Sequence, residues 1–118
     1  MSVGYQELVV WQKSVDLAEE VYRLIKLLPK TEEFALSNQM RRAAVSIPSN
    51  IAEGQQRRST KEFLTFLSIA RGSLAELETQ LILCVRFNYL SIKQIEKTEP
   101  LCKEIGLMLI SLMKTLET

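Results

Sequence analysis

Apolar residues return every three or four positions along nearly the whole of this 118-residue chain. Phe63, Leu67, Ala70, Leu74, Leu77, Leu81 and Cys84 keep that step for about three heptads. Such a period belongs to an amphipathic helix and excludes a strand, whose side chains alternate at every second residue. The chain must therefore bury helix faces against one another.

Four helical segments are predicted. The first runs from about Leu8 to Leu28, with Leu8, Trp11, Val15, Ala18, Tyr22 and Ile25 as its main apolar stripe. Val10, Leu17, Val21, Leu24 and Leu28 flank that stripe, and Pro29 ends the helix. The second starts at Ser37, a good N-cap, and stops at Gly54, a good residue to follow a helix. Its apolar stripe is Met40, Ala43, Ala44, Ile47 and Ile51, and Thr31-Glu32-Glu33 ahead of it reads as a short turn. Pro48 inside this helix predicts a kink, with the Ala44 carbonyl deprived of its usual donor.

The third helix opens on the capping box Ser59-Thr60-Lys61-Glu62 and closes at Asn88 and Tyr89. Ser91-Ile92-Lys93-Gln94 is a second capping box and is predicted to start the fourth. There Ile95, Cys102, Ile105, Leu109, Leu112 and Leu116 face the core, and Pro100 should bend or split the helix early. Connections this short make neighbouring helices antiparallel. The expected fold is all-α: one domain over residues 1–118, an up-down-up-down four-helix bundle kinked at Pro48 and Pro100.

Composition narrows the function. At 47% hydrophobic and 25% charged the chain has enough apolar residues for a packed core, which excludes general disorder. A net charge of +1 gives no global field toward nucleic acid or lipid, so any basic surface is local. The chain has no histidine, which removes Ser-His and Cys-His nucleophile pairs, histidine proton relays and histidine metal sites. Cys84 and Cys102 read as buried thiols of a cytoplasmic protein, although a disulfide is possible in principle. No secretory signal and no bilayer-length apolar run is visible, so no membrane partner is expected. Glu19, Glu20, Glu32, Glu33, Glu76 and Glu78 read as surface carboxylates, and no metal, cofactor or small-molecule substrate is expected.

Three groups of residues carry the functional reading. Gln39, Arg42, Ser46, Asn50 and Glu53 lie on one stripe of the second helix, beside its apolar one. They read either as a structural polar network reaching Arg71, Ser73, Glu76 or Gln80, or as the lining of an opening; Asn50 and Glu53 are expected to be buried and bonded. A second group is the apolar surplus: Val45, Pro48 and Ala52 away from the core stripe of helix two, and Met108 and Ile110 within the nearly all-apolar end of helix four. Such surplus predicts self-association. The third is the basic loop, where Arg57, Arg58 and Lys61, extended by Arg41, are arranged to neutralise phosphates. No aromatic residue lies within that loop to stack on bases.

The runs LVVWQKSVDLAEEVY, RRAAVSIPSNIAEG and FLTFLSIARGSLAELETQL resemble the small bacterial four-helix-bundle proteins encoded in intervening sequences of 23S ribosomal RNA genes. The resemblance covers nearly the whole chain. Ser14, where a small apolar residue is usual, and Pro100 depart from it. The resemblance implies a ring, typically of five subunits, without enzymatic activity. It also implies likeness to the accessory protein of diversity-generating retroelements, which works with a reverse transcriptase and is thought to contact nucleic acid. The expectation is a non-catalytic oligomeric scaffold working with RNA or a ribonucleoprotein. Its rivals are a protein-interaction module without nucleic acid, and a metal-dependent or small-molecule enzyme.

Overall fold

Four α-helices dominate the computed structural model, which describes residues 4–117: α1 Val9–Ile25, α2 Leu36–Gln55, α3 Thr60–Arg86 and α4 Thr98–Glu117. Each packs on its neighbours in the order α1–α2–α3–α4, and α4 closes back onto α1. The result is the antiparallel four-helix bundle that the spacing predicts, about 45 Å long and 24 by 22 Å across.

The core stripes of α2 and α3 are the predicted ones. Met40, Ala43, Ala44, Ile47 and Ile51 are buried, as are Leu67, Ala70, Leu74, Leu77, Leu81 and Cys84. Cys102, Ile105 and Leu109 of α4 join them, with Leu112 and Leu116 partly buried at the edge. Full burial of one such aliphatic side chain stabilises the fold by roughly 1.5–3 kcal/mol.

The stripe of α1 is a correction. Val10, Ser14, Leu17, Val21 and Leu24 are buried, whereas Trp11, Val15 and Ala18 are half-exposed and Tyr22 is exposed. Both stripes have helical spacing, and Ser14 makes the inner one look less apolar. Its hydroxyl donates to the Trp11 carbonyl at 2.7 Å, so the polar group is satisfied one turn back and enters the core with little penalty.

Helix ends differ from expectation in three places. Ser37 is buried inside the first turn of α2. The carboxylate of Glu32, in a short 3-10 turn Lys30–Glu32, caps the helix instead by accepting the Leu36 amide at 3.3 Å. Gly54 belongs to the last turn rather than following it, and α2 runs on through Pro48 without interruption to Gln55. A Cβ on Gly54 would sit 2.7 Å from the Cβ of Phe66, so glycine is there to let α3 approach. The Ser91–Gln94 capping box forms reciprocally, at 2.8 and 3.2 Å, yet it opens only the 3-10 turn Lys93–Ile95. Because α4 begins at Thr98, Pro100 falls in its first turn, where a missing N–H has no partner to lose. The interruption predicted at Pro100 lies ahead of it.

The ends of α3 follow the sequence closely. Ser59 accepts the Glu62 amide at 3.1 Å, and its hydroxyl donates to the Glu62 carboxylate. At the other end Asn88 takes φ 63°, Tyr89 N–H donates to the Cys84 carbonyl at 2.8 Å, and Asn88 N–H to that of Val85 at 3.1 Å. That pair of bonds is a Schellman closure, with asparagine in the left-handed position.

Candidate interaction surfaces around helix α2

Helix α2 turns its buried stripe inward and so presents two flanks, one over α3 and one over α1. The flank over α3 carries the predicted polar stripe. Ser46 Oγ lies 2.7 Å from Ser73 Oγ of α3, and the Asn50 amide donates to both the carbonyl and the hydroxyl of Ser46, at 2.8 and 2.9 Å. Beside this junction Gln39, Arg42, Ser46, Ser73 and Glu76 line an open cleft of about 340 Å³. Gln80, one heptad beyond Ser73 on α3, is buried with its side-chain oxygen unpartnered.

The network is thus smaller than predicted. Ser46 rather than Asn50 bridges to α3, and Asn50 is half-buried. Gln39, Arg42 and Glu53 are exposed; Glu53 pairs with Arg57 at 2.6 Å across one turn at the surface, in place of the expected burial. Three- and four-residue steps place all five on one side of the helix, but only Ser46 and Asn50 lie close enough to α3 to join the Ser73 junction.

The flank over α1 is apolar. Val45, Pro48 and Ala52 follow Arg41 at steps of four, three and four, and α1 answers with Trp11, Val15, Ala18 and Tyr22 at the same steps. Tyr22 and Val45 share the wall of one open cleft, which fixes the side of α1 that this stripe occupies. The opposite side of α1 meets α4 through Lys13 and Glu104, 3.1 Å apart. Trp11 is further held edge-on by Tyr5, ring centres 5.2 Å apart. The α1 half of this groove was missed in the sequence because its residues were assigned to the core.

The other two predicted interface residues lie elsewhere. Met108 lines a shallow cleft with Leu8, Val9 and Leu112 between α1 and α4. Ile110, two positions on and nearly half a helical turn round, is half-buried on another side of α4. The five residues therefore lie on three surfaces.

The basic group also divides. Arg57, Arg58 and Lys61 are exposed together where α2 turns into α3, but Arg57 is engaged by Glu53 and its guanidinium lies 4.8 Å from the centre of the Phe66 ring. Arg41 is about 24 Å away along α2 at 1.5 Å per residue, and it pairs with Glu33 at 2.8 Å. It does not extend the loop patch.

A residue first read as a surface carboxylate joins the two connections at the far end. Glu32, besides capping α2, accepts the Tyr89 hydroxyl at 2.8 Å, and this bond raises the Tyr89 pKa. Nothing in the local spacing signals the contact, since 57 residues separate the partners. Cys84 and Cys102 are both buried and free, and Cys84 Sγ lies 3.6 Å from Met40 Sδ. Burial pushes the two thiols up to about 11 and about 12. Among the described residues no three of Cys, Asp or Glu gather as a metal site, and no helix is long and apolar enough to cross a membrane.

Residues 6–111 match the sequence model of the 23S rRNA-intervening sequence protein family, which places the chain in that family. Among solved structures it is similar to a protein of unknown function from the S23 ribosomal protein family of Bacteroides thetaiotaomicron VPI-5482, determined at 1.70 Å. The two are 36% identical with a TM-score of 0.83, over 90% of this chain and 99% of that one. No functionally curated protein matches.

Proposed function

We propose that this member of the 23S rRNA-intervening sequence protein family is a non-catalytic homo-oligomeric scaffold that associates with RNA or a ribonucleoprotein. The observation that carries the reading is the apolar groove between α1 and α2. Two facing stripes, Trp11–Tyr22 and Val45–Ala52, are left half-covered by their own chain, with Val45 44% exposed. Contiguous apolar surface of this kind marks an interaction site. A second copy is the simplest cover, and a closed ring of five is the assembly that the family resemblance implies.

The RNA half of the reading rests on the α2–α3 turn. Arg58 and Lys61 project there without an ion pair among the described residues, and a ring would repeat them around its axis. The family's link to 23S rRNA makes structured ribosomal RNA the probe to use.

Light scattering at micromolar concentration should return a multiple of the protomer mass, and Val45→Glu should reduce it to one protomer, because burying an unpaired charge costs several kcal/mol. A monomeric wild type overturns the scaffold. Ribosomal RNA should be retained with an affinity that falls steeply with salt, about 0.9 log units per log unit of salt for each phosphate neutralised on a duplex. Arg58→Ala with Lys61→Ala should flatten that dependence. RNA retention indifferent to salt, or none, leaves a protein-interaction module.

A further inference from the structure

The end of the bundle opposite the α2–α3 turn is built differently. The α1–α2 and α3–α4 connections meet there, tied by the Tyr89–Glu32 hydrogen bond. Four large apolar side chains stand out from them. Phe34 is 94% exposed, Ile92 75%, and Leu27 and Phe87 about half. Phe87 is set edge-on to Tyr89, ring centres 5.7 Å apart, which fixes the plane of its ring.

Cations are interleaved with these side chains. Lys26 precedes Leu27, Arg86 precedes Phe87 and Lys93 follows Ile92, with Lys30 and Lys97 on the same two connections. None of the five makes an ion pair among the described residues, although Arg23 and Arg41 nearby do. Of the local carboxylates, Glu33 is paired with Arg41, whereas Glu32, which accepts the Leu36 amide and the Tyr89 hydroxyl, keeps its charge. Glu32, Glu96 and Glu99 stand against these five cations, so the end is still locally positive on a chain whose net charge is only +1.

We propose that this end of the bundle captures an unpaired RNA strand, with bases stacked on Phe34 and Phe87 and phosphates held by Lys26, Lys30, Lys93 and Lys97. Exposed rings and cations on one end of the bundle offer what a single strand presents, bases to stack and phosphates to neutralise. Stacking needs an open base face, which the interior of a duplex does not offer, so the site selects single strands. The end face, 24 by 22 Å, accepts about four nucleotides. The inference rests on the RNA reading above but not on the α2–α3 turn, which lies at the other end.

The test is fluorescence anisotropy on the full-length protein, with a labelled unstructured RNA of roughly 12 nucleotides and a blunt duplex of the same sequence. The single strand should bind at least about tenfold tighter, since each stacked base contributes roughly a factor of 5 to 150. Phe34→Leu with Phe87→Leu should lose most of that affinity with thermal stability and solution mass unchanged, and Phe34→Trp should keep it. Lys30→Ala with Lys93→Ala should flatten the salt dependence. Equal binding of duplex, or full binding by the double leucine variant, overturns the stacking site. If only Arg58→Ala with Lys61→Ala weakens binding, the inference fails and the RNA reading stands. If the wild type binds neither oligonucleotide nor ribosomal RNA, both fail, and sedimentation with phosphatidylserine vesicles dependent on Phe34 would identify a lipid contact instead.

Discussion

The two flanks of α2 solve opposite problems with the same helix. Over α3, Ser46, Asn50 and Ser73 satisfy one another at the edge of an open polar cleft, so that surface can stay wet without penalty. Over α1, Val45, Pro48 and Ala52 lie on the side of Trp11, Val15, Ala18 and Tyr22, with Asn38, Arg41, Arg42 and Ser49 at the Tyr22–Val45 end of the groove. Water on that side covers apolar area, and covering it with protein instead is favourable by about 25 cal/mol per Å². The polar flank is finished within one chain; the apolar one is where the proposed second copy would sit.

The largest effect that separates them is on assembly. Ala52→Glu, like Val45→Glu, should convert the oligomer to protomers, whereas Gln39→Glu on the polar flank should leave the mass unchanged. Sedimentation velocity distinguishes the outcomes. If the polar-flank variant dissociates and the apolar-flank one does not, the two roles are exchanged.

The helix that carries both flanks is held against α3 at one close point. Gly54→Ala places a Cβ 2.7 Å from Phe66 Cβ and 3.0 Å from Phe63, contacts that only movement of α3 can relieve. Overpacking of this kind should cost about 1–3 kcal/mol in urea unfolding. Gly72, whose added Cβ would meet nothing within 4 Å, is the control: Gly72→Ala should stabilise by about 0.5–1 kcal/mol. A neutral Gly54→Ala would show that the polar flank is loose enough to yield.

Much of this was legible in the sequence, and the misses have physical causes. Periodicity found the buried faces of α2 and α3 because their longest apolar stripes, Met40–Ile51 and Leu67–Cys84, are also the buried ones. It failed on α1, where two stripes compete and the buried one contains Ser14. Capping chemistry located the start of α3 and the Asn88 closure, but the same chemistry at Ser91 produced only a 3-10 turn, since a capping box fixes a first turn and says nothing of a second. Glu32 could not be found, because its two partners are a backbone amide one turn on and a tyrosine 57 residues away. The basic group was grouped by type, and helix length then set Arg41 about 24 Å from Arg57.

Both thiols are buried in the bundle, Cys84 beside the core face of α2, and pH can read this. Cys84 lies against Met40 with its thiol pushed up to about 11, mainly by burial, and Cys102 is pushed to about 12, again by burial. Unfolded, either thiol titrates near 9.0. Above pH 9 the unfolded chain therefore holds fewer protons than the folded one, and stability falls as pH rises toward 11. Each thiol should withdraw at most about 1.4 kcal/mol per pH unit within that window. Urea midpoints measured between pH 8 and 10.5 should drop more steeply for the wild type than for Cys84→Ala with Cys102→Ala. Equal slopes would mean that water reaches both thiols in the folded protein.

The smallest effect decides how the polar flank is wired. The Asn50 amide donates twice into Ser46, but it is not needed by either acceptor: the Ser46 hydroxyl keeps Ser73, and the Ser46 carbonyl lies in the helix ladder. Asn50→Ala should therefore cost about 0.5 kcal/mol, the low end for a hydrogen bond whose partners stay satisfied. Ser46→Ala removes the hydroxyl that joins the two helices, leaving Ser73 short of a partner and Asn50 with only the Ser46 carbonyl, so it should cost about 1–1.5 kcal/mol. The double variant should cost little more than Ser46→Ala alone, because Asn50 acts only through Ser46; chemical denaturation of the four species gives that coupling directly. Additive costs would show that Asn50 has a partner of its own, and a larger effect at Asn50 than at Ser46 would return the bridge between α2 and α3 to Asn50.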